Sequence, residues 1–450
     1  MALADNRWQR TTMLCGMYFA QGVPWGFMGT AVVTHLTEKG ITDSEAGHLS
    51  FMVLLPWTFK LIWAPIIDVF TVRSMGRRRP WIISAELMMA MSLLLILSMG
   101  DISQDLQLLG WMFFLHNCFA SLQDVATDAL AVDILPPDEQ GRVNGMMWGT
   151  KLVGKGLGAG GMATLMTTFG IEAAVMAQFV ILMLVMLLPL IFLERAGERR
   201  FPWSKGQANL GTSVTTQNVR PISDVISDLM KGFSLTTNWA YFMYGLMHVV
   251  GWGIVEIVGK TYWTQKLELD STDYSLIETQ SVPFQICGAM IGGWIADKFG
   301  RRKVIIGGLG GYGLMAFIFA ALIAANRGSE KAMYWYLLLN PGILAVGSVG
   351  FLSMGMKISW TKASATMFTI YMTLSNVGHV IGHKAVGVLR DTLEFSYEGT
   401  FAAAGLAMIT PLFLLFVVRP GEVDQAREPE KELDDVDAEI DSESDSSSEE

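Results

Sequence analysis

The chain has few charged residues for its length. Only 16% of its 450 residues are Asp, Glu, Lys or Arg, whereas soluble domains average about 25%. Residues with hydrophobic side chains make up 51% of the sequence. This balance excludes an ordinary soluble domain and indicates a membrane protein.

Cysteine is scarce as well, with three residues in the whole chain. Cys15, Cys118 and Cys287 lie far apart inside apolar stretches, which argues against a disulfide framework and against a cysteine-based metal site. The stretch GTKLVGKG (149–156) nearly matches a phosphate-binding loop, but Gly156 stands where Ser or Thr is required. We therefore predict no catalytic centre, no metal and no cofactor.

The formal net charge of -10 comes from the C-terminal end of the chain. Residues 419–450 contain 14 acidic and 3 basic residues, and the rest of the chain has 29 basic and 28 acidic residues. The acidic, serine-rich stretch is predicted to be a disordered tail. The nearly neutral body does not favour a nucleic-acid partner.

Twelve windows of about 20 apolar residues predict an all-α membrane protein with twelve transmembrane helices. The windows divide six and six around residues 194–235, which predicts two pseudo-symmetric six-helix bundles (1–193 and 236–418), a linker with an amphipathic helix (194–235) and the tail (419–450). The predicted spans are 12–35, 45–70, 80–99, 107–134, 140–168, 171–193, 236–257, 272–299, 303–325, 332–358, 363–389 and 400–418.

Basic residues concentrate in alternate loops, including the clusters GRRRP at 76–80 and GRRK at 300–303. By the positive-inside rule these loops, the linker and both termini are cytoplasmic. We therefore predict a multi-pass inner-membrane protein, surrounded by membrane lipid and monomeric.

The two basic clusters also carry a resemblance to a known family. GGWIADKFGRRK (292–303) resembles the signature loop of the major facilitator superfamily, in which an Asp at the end of one span precedes Gly and basic residues. In the first half, Asp68 and Gly76 are separated by five more residues than Asp297 and Gly300. That longer spacing, in FKLIWAPIIDVF followed by GRRRPW, and ASLQDVATDALAVDILPPDEQGR in the fourth span, resemble the AmpG muropeptide permeases and the related acetyl-CoA transporters.

The resemblance supports a cytoplasmic gate in which Asp68, Arg77 and a carboxylate at the end of the fourth span form a charge cluster. Asp133 lies near that end by residue count and is the predicted carboxylate. The alternative is that the arginines only set the orientation of the chain in the membrane. The predicted gate residues are Asp68, Gly76, Arg77, Arg78, Asp133, Asp297, Gly300, Arg301 and Arg302.

Polar side chains inside the predicted spans indicate a binding site, because an ionisable group at bilayer depth is costly and usually faces a cavity or a partner. At about 1.5 Å per residue, Gln21, Lys60, Asp124 and Lys151 reach one layer near the midplane. Asp124 and Lys151 are predicted to pair, as a proton-coupling pair or as a static ion pair between two helices. The further candidates for solute or proton binding are Asp128, Lys155, His116, His248, Gln285 and Asn376.

Together these features predict a proton-coupled secondary transporter that imports an anionic or sugar-peptide solute, such as an anhydro-muropeptide, by alternating access. Two alternatives remain open at this point. One is a transporter of another solute, such as an acetyl-CoA-like anion or a siderophore, and the other is a non-transporting sensor or assembly factor with the same fold.

Overall fold

The computed structural model describes residues 2–63, 66–67, 70, 73–201, 203–204, 222–359 and 364–423, and the regular secondary structure in this part of the chain is helical apart from one isolated β-bridge. The acidic residues 424–450 and residues 205–221 of the predicted linker lie outside the described part.

Six long helices make up most of the described residues of the first half. Two of them lengthen through a π-helical turn: α1 continues through Phe27–Val32 to Glu38, and α5 continues through Leu157–Gly161 to Phe169. The helices are α1 (Arg7–Gly26), α2 (Asp43–Thr58), α3 (Arg79–Leu94), α4 (Leu106–Ile134), α5 (Pro137–Gly156) and α6 (Ile171–Ile191).

A short helix, α7 (Ile222–Ser234), precedes the second half and ends the predicted linker. The helices of the second half are α8 (Thr236–Met247), α9 (Val250–Thr261), α10 (Ser271–Phe299), α11 (Arg301–Ala324), α12 (Glu330–Ile358), α13 (Ser364–Gly387) and α14 (Tyr397–Ile409).

Six helical segments in the described part are long and apolar enough to cross a membrane. Several helices outside this set carry polar side chains at mid-depth, such as Asp124 and Asp128 on α4, which lowers their hydropathy. The count of twelve spans therefore stays a prediction. The six segments are Arg79–Ser98, Ile171–Ile191, Thr236–Lys266, Arg301–Ala324, Glu330–Ile358 and Tyr397–Phe416.

Glycines allow α1 and α5 to pack backbone against backbone. A Cβ on Gly22 would lie 2.1 Å from the Lys151 carbonyl oxygen, and a Cβ on Gly158 would lie 1.9 Å from the Val23 carbonyl oxygen. Gly160, by contrast, faces Thr279 of α10, in the other half. Small residues at such spacing permit close helix approach in membranes, so one set of glycines joins α1 to α5 and another joins the two halves.

Hydrogen bonds between the two halves concentrate at one face of the molecule, which we call the outer face and define by Glu38, Asp43 and Arg390. Asp43 accepts from Thr261 Oγ1 at 2.7 Å and from Arg390 Nε at 3.0 Å. Ser271 Oγ donates to Glu38 Oε2 at 2.5 Å. These contacts hold the two halves together on the side opposite to the basic loops.

Candidate functional site

A cavity of about 530 Å³ lies between the two halves at mid-depth. It extends toward the face that carries the basic loops, where its lining residues Val132 and Met356 are 75% and 58% exposed. The cavity is therefore closed at the outer face and open toward the face of the basic loops. Its charged and aromatic lining residues are Tyr18, Trp25, Trp57, Lys60, Asp124, Asp128, Trp148, Lys151, Glu256, Phe368, His379 and His383.

Asp124 is the centre of the charged cluster in the first half. Its Oδ2 lies 3.1 Å from Lys60 Nζ and its Oδ1 lies 3.6 Å from Lys151 Nζ. The sequence predicts Lys151 as the partner of Asp124. In the structure Lys60 is a second partner and lies nearer to Asp124 than Lys151 does. All three side chains are at least four-fifths buried, so each charge depends on the others for compensation.

Asp128 lies one turn further along α4 and binds a different partner. The Tyr18 hydroxyl donates to Asp128 Oδ1 at 2.5 Å. Tyr18 also contributes to an aromatic enclosure around Lys151 Nζ, which lies 4.6 to 5.2 Å from the ring centroids of Tyr18, Trp57 and Trp148. Such rings stabilise a cation that has left water, and the same rings offer flat apolar faces to a solute.

Lys155 forms a contact between the two halves outside the cavity lining. Its Nζ lies 2.5 Å from Glu278 Oε1 on α10 and 5.0 Å from the centre of the Trp25 ring. Asn376 also bridges the halves, because its side-chain amide donates to the Trp57 carbonyl at 3.2 Å. Unlike Lys155, Asn376 lines the cavity.

The second half contributes its own charged cluster to the cavity wall. Glu256 Oε2 lies 2.8 Å from His379 Nε2 and 3.2 Å from His383 Nε2, and Glu256 Oε1 lies 3.5 Å from Lys260 Nζ. None of these four residues is among the binding candidates named from the sequence.

Besides Lys155, four of the sequence candidates do not line the cavity. Gln21 donates to Gln123 Oε1 at 2.5 Å, and Gln285 donates to Ser281 Oγ at 2.9 Å. The His116 ring contacts Ser92 Oγ at 2.9 Å, and the His248 ring lies 4.1 Å from the Phe351 ring. These residues lie at about the depth of the Asp124 cluster, but each is on a helix face that does not line the cavity.

Glu86 is a buried polar residue that the sequence reasoning missed. It is fully buried on α3, beside the side chain of Gln123. The sequence feature that could have identified Glu86 is a single carboxylate inside the apolar run AELMMAM.

The basic loop of the first half is held by a carboxylate from the segment after α6. Glu194 accepts hydrogen bonds of 2.6 Å from the backbone N–H groups of Arg77, Arg78 and Arg79. Arg78 Nε in turn lies 3.0 Å from Asp133 Oδ2 at the end of α4. Asp68 lies outside the described residues, so its predicted place in this gate stays a prediction.

Glu198 lies beside this contact and accepts a hydrogen bond from the Glu194 backbone N–H at 3.1 Å. Burial, and then the neighbouring Glu194 carboxylate, raise the pKa of Glu198 to about 7. Burial also raises the pKa of Glu194, although the three N–H groups of the arginines favour its ionised form. The carboxylates of Glu194 and Glu198 therefore lie side by side next to the basic loop.

Gly76 lets this loop approach Glu194. Its φ of 103° is in the region that favours glycine, and a Cβ there would lie 2.6 Å from Glu194 Oε2.

We expect Gly76→Ala to lower the free energy of unfolding by about 2–4 kcal/mol, from backbone strain and displacement of the Glu194 carboxylate. Thermal unfolding of the purified protein in detergent measures this loss. Gly307→Ala is the matched control, because nothing lies within 4 Å of a Cβ at this helical position. Equal stability of the two variants would contradict the role assigned to Gly76.

The basic loop of the second half has a different arrangement. Gly300 has a φ of 94° between α10 and α11, Arg301 Nε donates to Ser353 Oγ at 2.6 Å, and Arg302 donates to the Val418 carbonyl. The side chain of Asp297 lies outside the described residues. The two predicted gate loops are therefore related in sequence but differ in their contacts.

Comparisons with known proteins agree with this architecture. A family model described as the Major Facilitator Superfamily matches residues 14–272 and 240–439. The anhydromuropeptide permease of Escherichia coli (strain K12) is 24% identical over 434 residues, which cover 91% of this chain and 80% of the relative. The resemblance to the AmpG permeases predicted from the sequence is thereby confirmed.

Solved structures support the same fold. A nucleoside transporter, NupG, superposes with a TM-score of 0.69 at 10% identity, over 91% of this chain and 100% of its own. A D-xylose-proton symporter superposes with a TM-score of 0.67 at 13% identity, over 92% of this chain and 99% of its own. At these identities the similarity establishes the fold alone.

Proposed function

Because the chain belongs to the Major Facilitator Superfamily, a superfamily of transporters, we propose that it is a proton-coupled secondary transporter that imports an anionic or sugar-peptide solute. The observation that carries this proposal is the cavity at mid-depth, with Asp124 held between Lys60 and Lys151. Midplane sites between structural repeats are where such transporters bind solute and coupling ion.

The chemistry of the cavity favours an anhydro-muropeptide, as the name of the Escherichia coli relative suggests. Lysines at the cavity attract carboxylates, and Trp57 and Trp148 offer ring faces to sugars. When an anionic group draws a lysine away from Asp124, the carboxylate loses compensation and accepts a proton. Solute binding and proton uptake would then occur in the same cluster.

The proposed arrangement has two six-helix bundles, 1–193 and 236–418, joined by the linker 194–235 and followed by the acidic tail 419–450. Both termini and the basic loops face the cytoplasm, the protein lies in the inner membrane as a monomer, and the closed outer face corresponds to an inward-facing state. Breaking the outer contacts while the basic loops engage would give the outward-facing state.

Uptake into vesicles under an imposed proton gradient tests the proposal. An anhydro-muropeptide, acetyl-CoA and a ferric siderophore are supplied in parallel to vesicles with the full chain and to vesicles without it. We expect muropeptide to accumulate and a protonophore to abolish the accumulation. Uptake of another solute alone would replace the proposed substrate, and absence of gradient-driven uptake would favour a non-transporting sensor.

A further inference from the structure

We propose that Glu256, His379 and His383 form a binding site for a divalent transition-metal ion of the class of Zn²⁺, Co²⁺ or Ni²⁺. One ligand atom from each residue lies within 4.8 Å of the other two. Two imidazoles and a carboxylate are ligands that suit these ions. The proposal stands independently of transport, because metal binding is measured on the purified protein.

The geometry requires little rearrangement. Ligands about 2.0–2.2 Å from a tetrahedral zinc ion lie about 3.3–3.6 Å from one another. Glu256 Oε2 already lies 2.8 Å from His379 Nε2 and 3.2 Å from His383 Nε2. The two histidines are four residues apart on α13, so they share one helix face and can close on one ion.

Neighbouring side chains hold the proposed ligands in place, and an ion can reach them from the cavity. The Trp252 ring stacks on His379 with 3.9 Å between ring centroids, and His379 and His383 are 6% and 3% exposed. All three ligands nevertheless line the cavity. Three protein ligands leave a coordination position that can face the cavity, for water or for an acidic group of a bound molecule.

Lys260 is the cation that an ion bound at this site would have to displace. It is 1% exposed, and Nζ has no hydrogen-bond partner in the described part of the chain although it lies 3.5 Å from Glu256 Oε1. Lys155 and Glu278 form the neighbouring ion pair at 2.5 Å. An ammonium group and a metal ion would compete for the Glu256 carboxylate, so binding of the ion should displace the ammonium group from Glu256.

Titration of the purified full-length protein with Co²⁺, followed by visible absorption, tests the site, with Zn²⁺ as competitor. We expect one Co²⁺ per chain and displacement by Zn²⁺. His379→Gln, His383→Gln and Glu256→Gln should each weaken binding about tenfold or more. His35→Gln, which changes a histidine outside the cluster, should bind as the unchanged protein does.

Lys260→Met gives the most discriminating result, because a cluster with a merely structural role predicts no gain in Co²⁺ affinity. Removing the competing charge should tighten Co²⁺ binding about tenfold or more. Size-exclusion chromatography identifies folded variants, and the histidine variants suffice if Glu256→Gln does not fold. Absence of saturable binding by the unchanged protein, equal affinity of the ligand variants, or unchanged affinity of Lys260→Met would each overturn the proposal.

Discussion

Asp124→Asn is expected to reduce proton-driven uptake by at least about a hundredfold. The substitution leaves Lys60 and Lys151 buried without the carboxylate that lies 3.1 and 3.6 Å from them. Breaking a buried ion pair on one side costs about 3–5 kcal/mol, and the neutral amide cannot take up a proton. Initial uptake rates in vesicles, normalised to the amount of folded transporter, measure the effect.

A double variant separates proton coupling from a static ion pair. Asp124→Asn combined with Lys60→Met removes one charge of each sign, so it should recover most of the lost stability. If Asp124 carries the proton, gradient-driven uptake stays lost in the double variant. If the cluster only joins helices, uptake returns with stability, and the proposed coupling role of Asp124 is wrong.

Asp43→Asn is expected to shift the protein away from the state described here. Asp43 is 5% exposed and joins α2 of the first half to Thr261 and Arg390 of the second. Hydrogen bonds to a charged group contribute about 1.5–3 kcal/mol each. Loss of about 2 kcal/mol from one state changes the ratio of two states about thirtyfold.

Distances between spin labels on the two halves, measured at the outer face, report this shift. We expect a second, longer distance to become populated in Asp43→Asn. Asp105→Asn is the matched control, because Asp105 caps α4 by accepting from the Leu108 backbone N–H and makes its bond within one half. An unchanged distance distribution in Asp43→Asn would contradict the role of this contact in closing the outer face.

The depth of polar residues could be predicted from the sequence because a helix advances by a constant rise. That rise placed Lys60, Asp124 and Lys151 in one layer, and in the structure both ammonium groups lie within 3.6 Å of the Asp124 carboxylate. The family could also be predicted from the sequence, because the spacing between Asp68 and Gly76 is specific to it.

The rotation of each helix about its axis could not be predicted in the same way. His116 and His248 have suitable depth but point into packed regions, since helices that are apolar on nearly all sides carry no periodic signal of their cavity face. The contact of Glu256 with His379 joins residues 123 positions apart, and the contact of Glu194 with the basic loop joins residues more than 110 positions apart. Such pairs follow from tertiary packing, which one sequence does not display.

The close contact of α1 with α5 has a consequence for how the site moves. The backbone of Lys151 lies against Gly22, where even a methyl group would not fit. The backbone at Lys151 therefore cannot slide along α1, and Lys151 moves together with Tyr18 of α1. Residues that approach this pair from the other half can therefore make the solute affinity differ between the two sides of the membrane, and Asn376, which donates to the Trp57 carbonyl, is one of them.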